Sequence, residues 1–222
     1  MPNHCYTRIS ISDPTKKQKE ILKKIEKAEG LCRYYKPMPK ELEGTTSPQR
    51  VGDEENCTIT LPKSIELKQK YGYDNWYDWC NFNWGTKWGC YDFYIEDDVI
   101  AFTSAWCPIG ENIIRMFAKD FPSFHYEYEE EQGWGAEFDY EESECVLSNE
   151  YDAPQWEEVE DVDVKDESGY TICYTITKLC EDHPSYQDYG VGYYADYSHE
   201  FLGKTLKDAY DNLGVTKKLK VV

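Results

Sequence analysis

The residues with the greatest chemical potential are Asn83-Trp84-Gly85-Thr86-Lys87-Trp88. Asn83, Thr86 and Lys87 place polar groups beside aromatic faces, which is what a small polar or nucleotide-like ligand needs. The same residues also read as an ordinary helix end, with indoles in the core and Lys87 against the helix C-terminus. They close a segment, 75–88, that holds four of the seven tryptophans. Rings of that size gain strongly by leaving water, so the segment is core, pocket wall or both. Asp78, between Tyr77 and Trp79, is the one carboxylate with the apolar setting that acid–base chemistry uses. Its plainer reading is a helix cap or an indole partner. With Trp106, the ligand-site candidates are Asp78, Asn83, Trp84, Thr86, Lys87, Trp88 and Trp106.

Other chemistries find less support. The nine cysteines are scattered, and Cys180-Glu181-Asp182-His183 is the nearest approach to a metal-binding spacing. Cys80, Cys90 and Cys107 lie near the tryptophans, with His4 and His125 on strands. A nucleophilic thiol needs a cationic neighbour, which an acidic chain disfavours. The expectation is no catalytic residue, no metal and no cofactor, with the cysteines reduced.

Charge is strongly polarised. Residues 127–167 hold eighteen acids and one lysine, so they carry −17 of a net −19. Residues 1–70 carry +4. A basic footprint for nucleic acid is missing, and no direct nucleic-acid binding is expected. The acidic segment reads as a solvated face or a contact surface for a basic partner, with Glu129, Glu130, Glu131, Glu157 and Glu158 as candidate contacts. No apolar run reaches the roughly 18 residues a bilayer requires. The N-terminus lacks the basic and apolar regions of a signal peptide, so no membrane role and a cytoplasmic location are expected.

Stepping outward to the elements, Cys5–Ser12 alternates as a strand, with Tyr6, Arg8 and Ser10 facing away from Thr7, Ile9 and Ile11. Thr15–Glu29 reads as a helix with Ile21, Leu22 and Ile25 inward, ended by Gly30. Residues 31–62 read as an irregular insertion. Helices follow at about 63–71 and from Asp74 onward, the second carrying Trp76, Trp79, Cys80 and Asn83 on one stripe. Strands at Cys90–Ile95 and Asp98–Ala105 precede a helix ending at Lys119, with Ile113, Ile114 and Phe117 inward. Ser123–Glu129 is a strand, and Glu137–Tyr140 and Cys145–Leu147 extend the sheet. Residues 149–168 read as an acidic linker. The 169–222 tail reads as a small β-hairpin plus helix, with strands at Tyr170–Thr177 and Gly192–Tyr197 and a helix at Lys204–Leu213. The order over 1–148 fits an α+β ferredoxin-like sandwich, an antiparallel sheet with helices on one face.

Three separated blocks carry a resemblance: Met1-Pro2-Asn3 with Cys5, the Trp76–Trp88 block, and Phe102-Thr103-Ser104-Ala105-Trp106-Cys107-Pro108. Together with Phe121-Pro122 and Glu129 to Gly135, they resemble the YubB-like family of bacteriophage and conjugative-plasmid proteins. His4 stands where that family usually has Trp, Cys107 where Ser is commoner, and the chain from 149 onward looks unlike the family's short endings. The resemblance implies a ferredoxin-like domain over 1–148, without an iron–sulfur cluster, and a mobile-element accessory role in a bacterial cytoplasm. It supplies no catalytic residue. The expected function is non-enzymatic: binding a host or defence protein through the acidic surface, as nucleic-acid mimicry or anti-defence. The alternative is a small-ligand or nucleotide-binding module at Asn83–Trp88.

Overall fold

The computed structural model describes residues 3–165, 168–196 and 198–214. Met1, Pro2, Asp166, Glu167 and Tyr197, which entered the reading above, lie outside them, as does the chain beyond Gly214. The described chain divides into two compact units, Met1–Glu150 and Tyr151–Val222.

In the first unit, β1 (His4–Ser10) is the central strand. It pairs antiparallel with β3 (Val99–Ala105) on one side and β4 (Phe124–Glu130) on the other. β2 (Tyr91–Glu96) lies outside β3, while β5 (Gly135–Glu141) and β6 (Glu144–Tyr151) continue beyond β4. The fold is α+β, with sheet order β2-β3-β1-β4-β5-β6. β5 and β6 make the sheet six-stranded, because Phe138 and Tyr140 extend the aromatic inner face begun by Phe124 and Tyr126.

The strand pattern is simple physics. Cys5, Thr7 and Ile9 are buried on one face of β1, while Tyr6 and Arg8 face outward. The β2–β3 turn holds both Asp97 and Asp98 at positive φ, the geometry of a tight hairpin whose twist matches its strands. Helix α1 (Lys16–Lys27) begins in a reciprocal capping box between Thr15 and Gln18, with Ile21, Leu22 and Ile25 buried. Helix α6 (Glu111–Asp120) buries Ile113, Ile114, Phe117 and Ala118. Both stripes belong to one continuous core with Ile9, Ile100 and Phe102.

The insertion expected to be irregular contains two short helices, α2 (Leu31–Tyr35) and α3 (Lys40–Glu43). Too short for a periodic signal, they are held by full burial of Leu31, Cys32 and Leu42. Helix α4 (Leu61–Tyr71) ends in left-handed Gly72, and α5 (Trp76–Trp84) ends in left-handed Gly85. The buried stripe of α5 is Trp79, Cys80 and Trp84. Trp76 and Asn83, expected on it, are only half-buried.

The second unit corrects the linker expectation. Residues 156–165 form strand β7 (Trp156–Lys165), paired antiparallel with β8 (Thr171–Leu179). Val162 and Val164 alternate with acids there, and a register shift between Glu158 and Glu160 interrupts the alternation toward Trp156. β9 (Gly192–Ala195) and β10 (Phe201–Gly203) complete a four-stranded sheet, order β10-β9-β8-β7. The tail is therefore not a hairpin plus helix but a sheet packed by α7 (Leu206–Asn212) through Val162, Ile176, Leu202 and Ala209.

Candidate functional site

At the start of α5, Asn75 Oδ1 accepts from the Asp78 backbone N–H (2.9 Å), and Asn75 Nδ2 donates to Asp78 Oδ2 (2.8 Å). Asp78 is thus an exposed partner of the helix cap, not a carboxylate in an apolar pocket. At the other end, Asn83 Nδ2 donates back to the Trp79 carbonyl at 2.9 Å, and Trp84 Nε1 donates to the Lys36 carbonyl at 2.7 Å. Gly110 N donates to the Trp84 carbonyl at 2.7 Å. A Cβ on Gly85 would fall 2.5 Å from that same Gly110 nitrogen, so only glycine allows the approach. Thr86 is buried and grips β3: its Oγ1 donates to the Ala105 carbonyl at 2.9 Å and accepts from the Ala105 N–H at 3.2 Å. Four of the seven ligand-site candidates are therefore engaged: Asp78 and Asn83 within α5 and its cap, Trp84 and Thr86 in fastening the helix end to its neighbours.

The other three form one exposed arrangement. Lys87 Nζ lies 3.8 Å from the ring centroids of both Trp88 and Trp106, a cation held between two indole faces. Trp88 remains 43% exposed and Trp106 45%. Trp106 takes a left-handed backbone (φ 70°), and its N–H donates to the Asn3 carbonyl at 2.9 Å. That strained turn leaves the indole exposed beside Lys87. Trp88 meets Tyr91 edge-on at 6.1 Å, Tyr91 Oη lies 3.0 Å from His4 Nδ1, and His4 stacks on Tyr6 at 6.2 Å. Tyr6 and Tyr94 are more than half exposed. The N-terminal block, the Trp-rich block and the Ala105-Trp106 block thus converge in space. They build an aromatic strip running onto the face of the sheet opposite the first unit's core.

The strip has an acidic border. Glu131 accepts the His4 N–H through Oε2 at 3.0 Å, and its own N–H donates to the His4 carbonyl at 2.8 Å. On the same open face, Tyr6 lies opposite Glu129, and Arg8 opposite Glu127. Glu127 and Glu137 are direct cross-strand partners, an arrangement that costs free energy unless cations stand near. Arg8 Nε approaches Glu127 at 3.9 Å, and His125 lies 2.8 Å from Asp139 and 3.6 Å from Glu127. Partial burial works to lower the His125 pKa, but the Asp139 hydrogen bond and the two carboxylates outweigh it and leave the pKa raised.

The acidic run is not one solvated face. Glu130 is 2% exposed, and its Oε2 accepts the Gln132 N–H at 2.7 Å. It points to the inner side and caps its own turn, so it is not a partner contact. Glu157 and Glu158 are exposed on β7 of the second unit, separate from the first unit's sheet. The charge of 127–167 is distributed over β4, β5, β6 and β7, with alternate residues on opposite faces.

Cys5, Cys80 and Cys107 fit structural roles, whereas burial works to raise the Cys90 pKa but bonding to Cys32 leaves it lowered. Burial pushes Cys5 and Cys80 up to about 12, and raises Cys107, which keeps them neutral and poorly nucleophilic. Cys107 Sγ instead donates to the Gly85 carbonyl at 3.1 Å. Among the described residues, no three His, Cys, Asp or Glu side chains are grouped to hold a metal ion. No described helix is long and apolar enough to cross a membrane.

Sequence reasoning missed His4, Tyr6, Tyr91 and Tyr94 as surface residues of the site. The signal existed in β1, where Tyr6 and Arg8 alternate against Ile9, but β1's place beside Trp106 and Glu131 is a tertiary fact. Compared with family models, with curated proteins and with solved structures, the chain matches none.

Proposed function

We propose that this protein works by binding a basic protein partner through the open face of its six-stranded sheet. The observation that carries the reading is the convergence of exposed Tyr6, Trp88, Tyr94 and Trp106 with the carboxylates of β4 and β5 on that face. Large aromatics that stay half-exposed on a rigid sheet are what interface hot spots are made of, because they bury much area at little entropic cost. The surrounding carboxylates steer a basic partner and set orientation. The strand order β2-β3-β1-β4, with α1 and α6 as the crossings, supports a ferredoxin-like core to which β5 and β6 are added. A host or defence protein of a bacterial cytoplasm, met by a phage or plasmid accessory protein, is the partner that the family resemblance favours. Small-ligand binding at Asn83–Trp88 receives less support, since Asn83, Trp84 and Thr86 are engaged within α5 or in fastening its end.

The test is paired affinity capture from bacterial lysate. The wild-type chain is compared with Trp88→Ala/Trp106→Ala and with Glu127→Lys/Glu137→Lys. The reading expects one salt-sensitive set of captured proteins that both variants lose while their melting curves stay close to wild type. Identical capture by all three chains would falsify it.

A further inference from the structure

A concave region lies on the opposite side of the first unit's sheet, between α6 and strands β4, β5 and β6. It is a cavity of about 360 Å³ whose lining includes Tyr126 and Tyr128 of β4, Phe138 and Tyr140 of β5, Glu111 of α6 and Glu150 of β6. The size suits a small molecule. Its aromatic wall is rigid, because Tyr126 stacks on Phe138 at 5.5 Å and Tyr140 on Phe124 at 4.5 Å. Tyr128 is wedged between Phe138 (6.2 Å) and Trp134 (6.1 Å).

The charge around this wall is one-sided. Burial raises all three tyrosines above their ordinary range, with Glu150 adding to the effect on Tyr128 and Glu111 to that on Tyr140. They therefore stay neutral at physiological pH, and the formal charges in the lining are two carboxylates. Arg115 donates to Glu111 at 2.7 and 3.0 Å, so it neutralises one of them. Glu150 belongs to the exposed edge strand.

A rigid aromatic wall with a carboxylate at the rim is complementary to an organic cation carrying an apolar body. We propose that this cavity binds a small hydrophobic ammonium ion, its cationic head toward Glu150 and its apolar portion against Phe138 and the tyrosines. Neither an anion nor a neutral apolar molecule matches both the rings and the carboxylates. The site is separate from the open-face surface, so it stands or falls independently of the partner-binding reading.

Ligand-observed NMR titration of the full chain with choline and with its neutral carbon isostere, 3,3-dimethylbutan-1-ol, tests the charge requirement directly. Benzyltrimethylammonium adds the apolar body. The expected order is benzyltrimethylammonium tightest, choline next and the neutral isostere at least roughly tenfold weaker than choline. Glu150→Gln and Tyr128→Leu should each weaken benzyltrimethylammonium several-fold while leaving the melting temperature near wild type, and Trp88→Ala should leave binding unchanged. Equal binding of choline and the isostere would overturn the proposal, as would absence of benzyltrimethylammonium binding at millimolar concentration. Binding indifferent to both cavity variants would overturn it too, by placing the ligand elsewhere.

Discussion

Trp79 and Trp84 differ from Trp88 and Trp106 in nearly everything except their side chain. The first pair is 4% exposed and meets edge to face at 5.5 Å inside the core. The second pair is nearly half-exposed, with Lys87 between its rings. Gly85 divides them. Before it, helical periodicity carries each indole onto the core stripe. After it, the left-handed turn sends the chain over the sheet end. Dense tryptophan therefore ends in two places: in the core, where it fastens a short helix to the domain, and on the surface, where it leaves aromatic rings exposed.

That contrast predicts a steep gradient of effects. Trp79→Ala should cost the most, about 3–5 kcal/mol of stability, since it opens a cavity beneath α5. Chemical denaturation would measure this, and a wild-type midpoint would erase the distinction between the two pairs. Thr86→Val comes next. It keeps the shape but strips Ala105 of both its hydroxyl contacts, and should cost about 1–3 kcal/mol.

Trp88→Ala and Trp106→Ala should each cost about 1 kcal/mol or less, the scale of an exposed cation–π contact. If either unfolds the protein as readily as Trp79→Ala, the strip is a structural brace and the recognition reading weakens. The smallest effect belongs to the acidic flank and can be read by pH. His125 has a folded pKa raised by Asp139 and Glu127. Its contribution is thus fully present below the unfolded value of about 6.5, and disappears as pH rises through the folded value. Partial exposure makes the term slight. His125→Gln should therefore flatten the stability profile above about pH 6.5, where the wild-type contribution is lost. A wild-type slope in that variant would show that the titration lies elsewhere.

Much of the architecture was legible locally. The alternation of β1, the amphipathic faces of α1 and α6, and a tight turn between β2 and β3, expected at Glu96-Asp97 and found one residue later at Asp97-Asp98, each arise from residues within a few positions of one another. Side-chain periods of 2 and 3.6 are written directly into such stretches. Composition likewise announced the acidic second half and the buried helix stripe around Trp79. By contrast, α2 and α3 were hidden because helices of five and four residues form only when tertiary burial of Leu31, Cys32 and Leu42 supports them. β7 was hidden because its acids suggested solvent, although one face of a strand can be charged while Val162 on the other is buried.

The site divides along the same line. The sequence by itself determined that Lys87 would stand among aromatic rings and that carboxylates would be abundant after residue 127. Only the tertiary structure decided that Glu130 turns inward, that Thr86 is a clasp, and that Trp106 faces Trp88 across Lys87. Those outcomes depend on pairings such as His4 with Glu131, 127 residues apart. No local propensity encodes a contact of that range; it exists because the sheet order β3-β1-β4 brings three remote segments side by side.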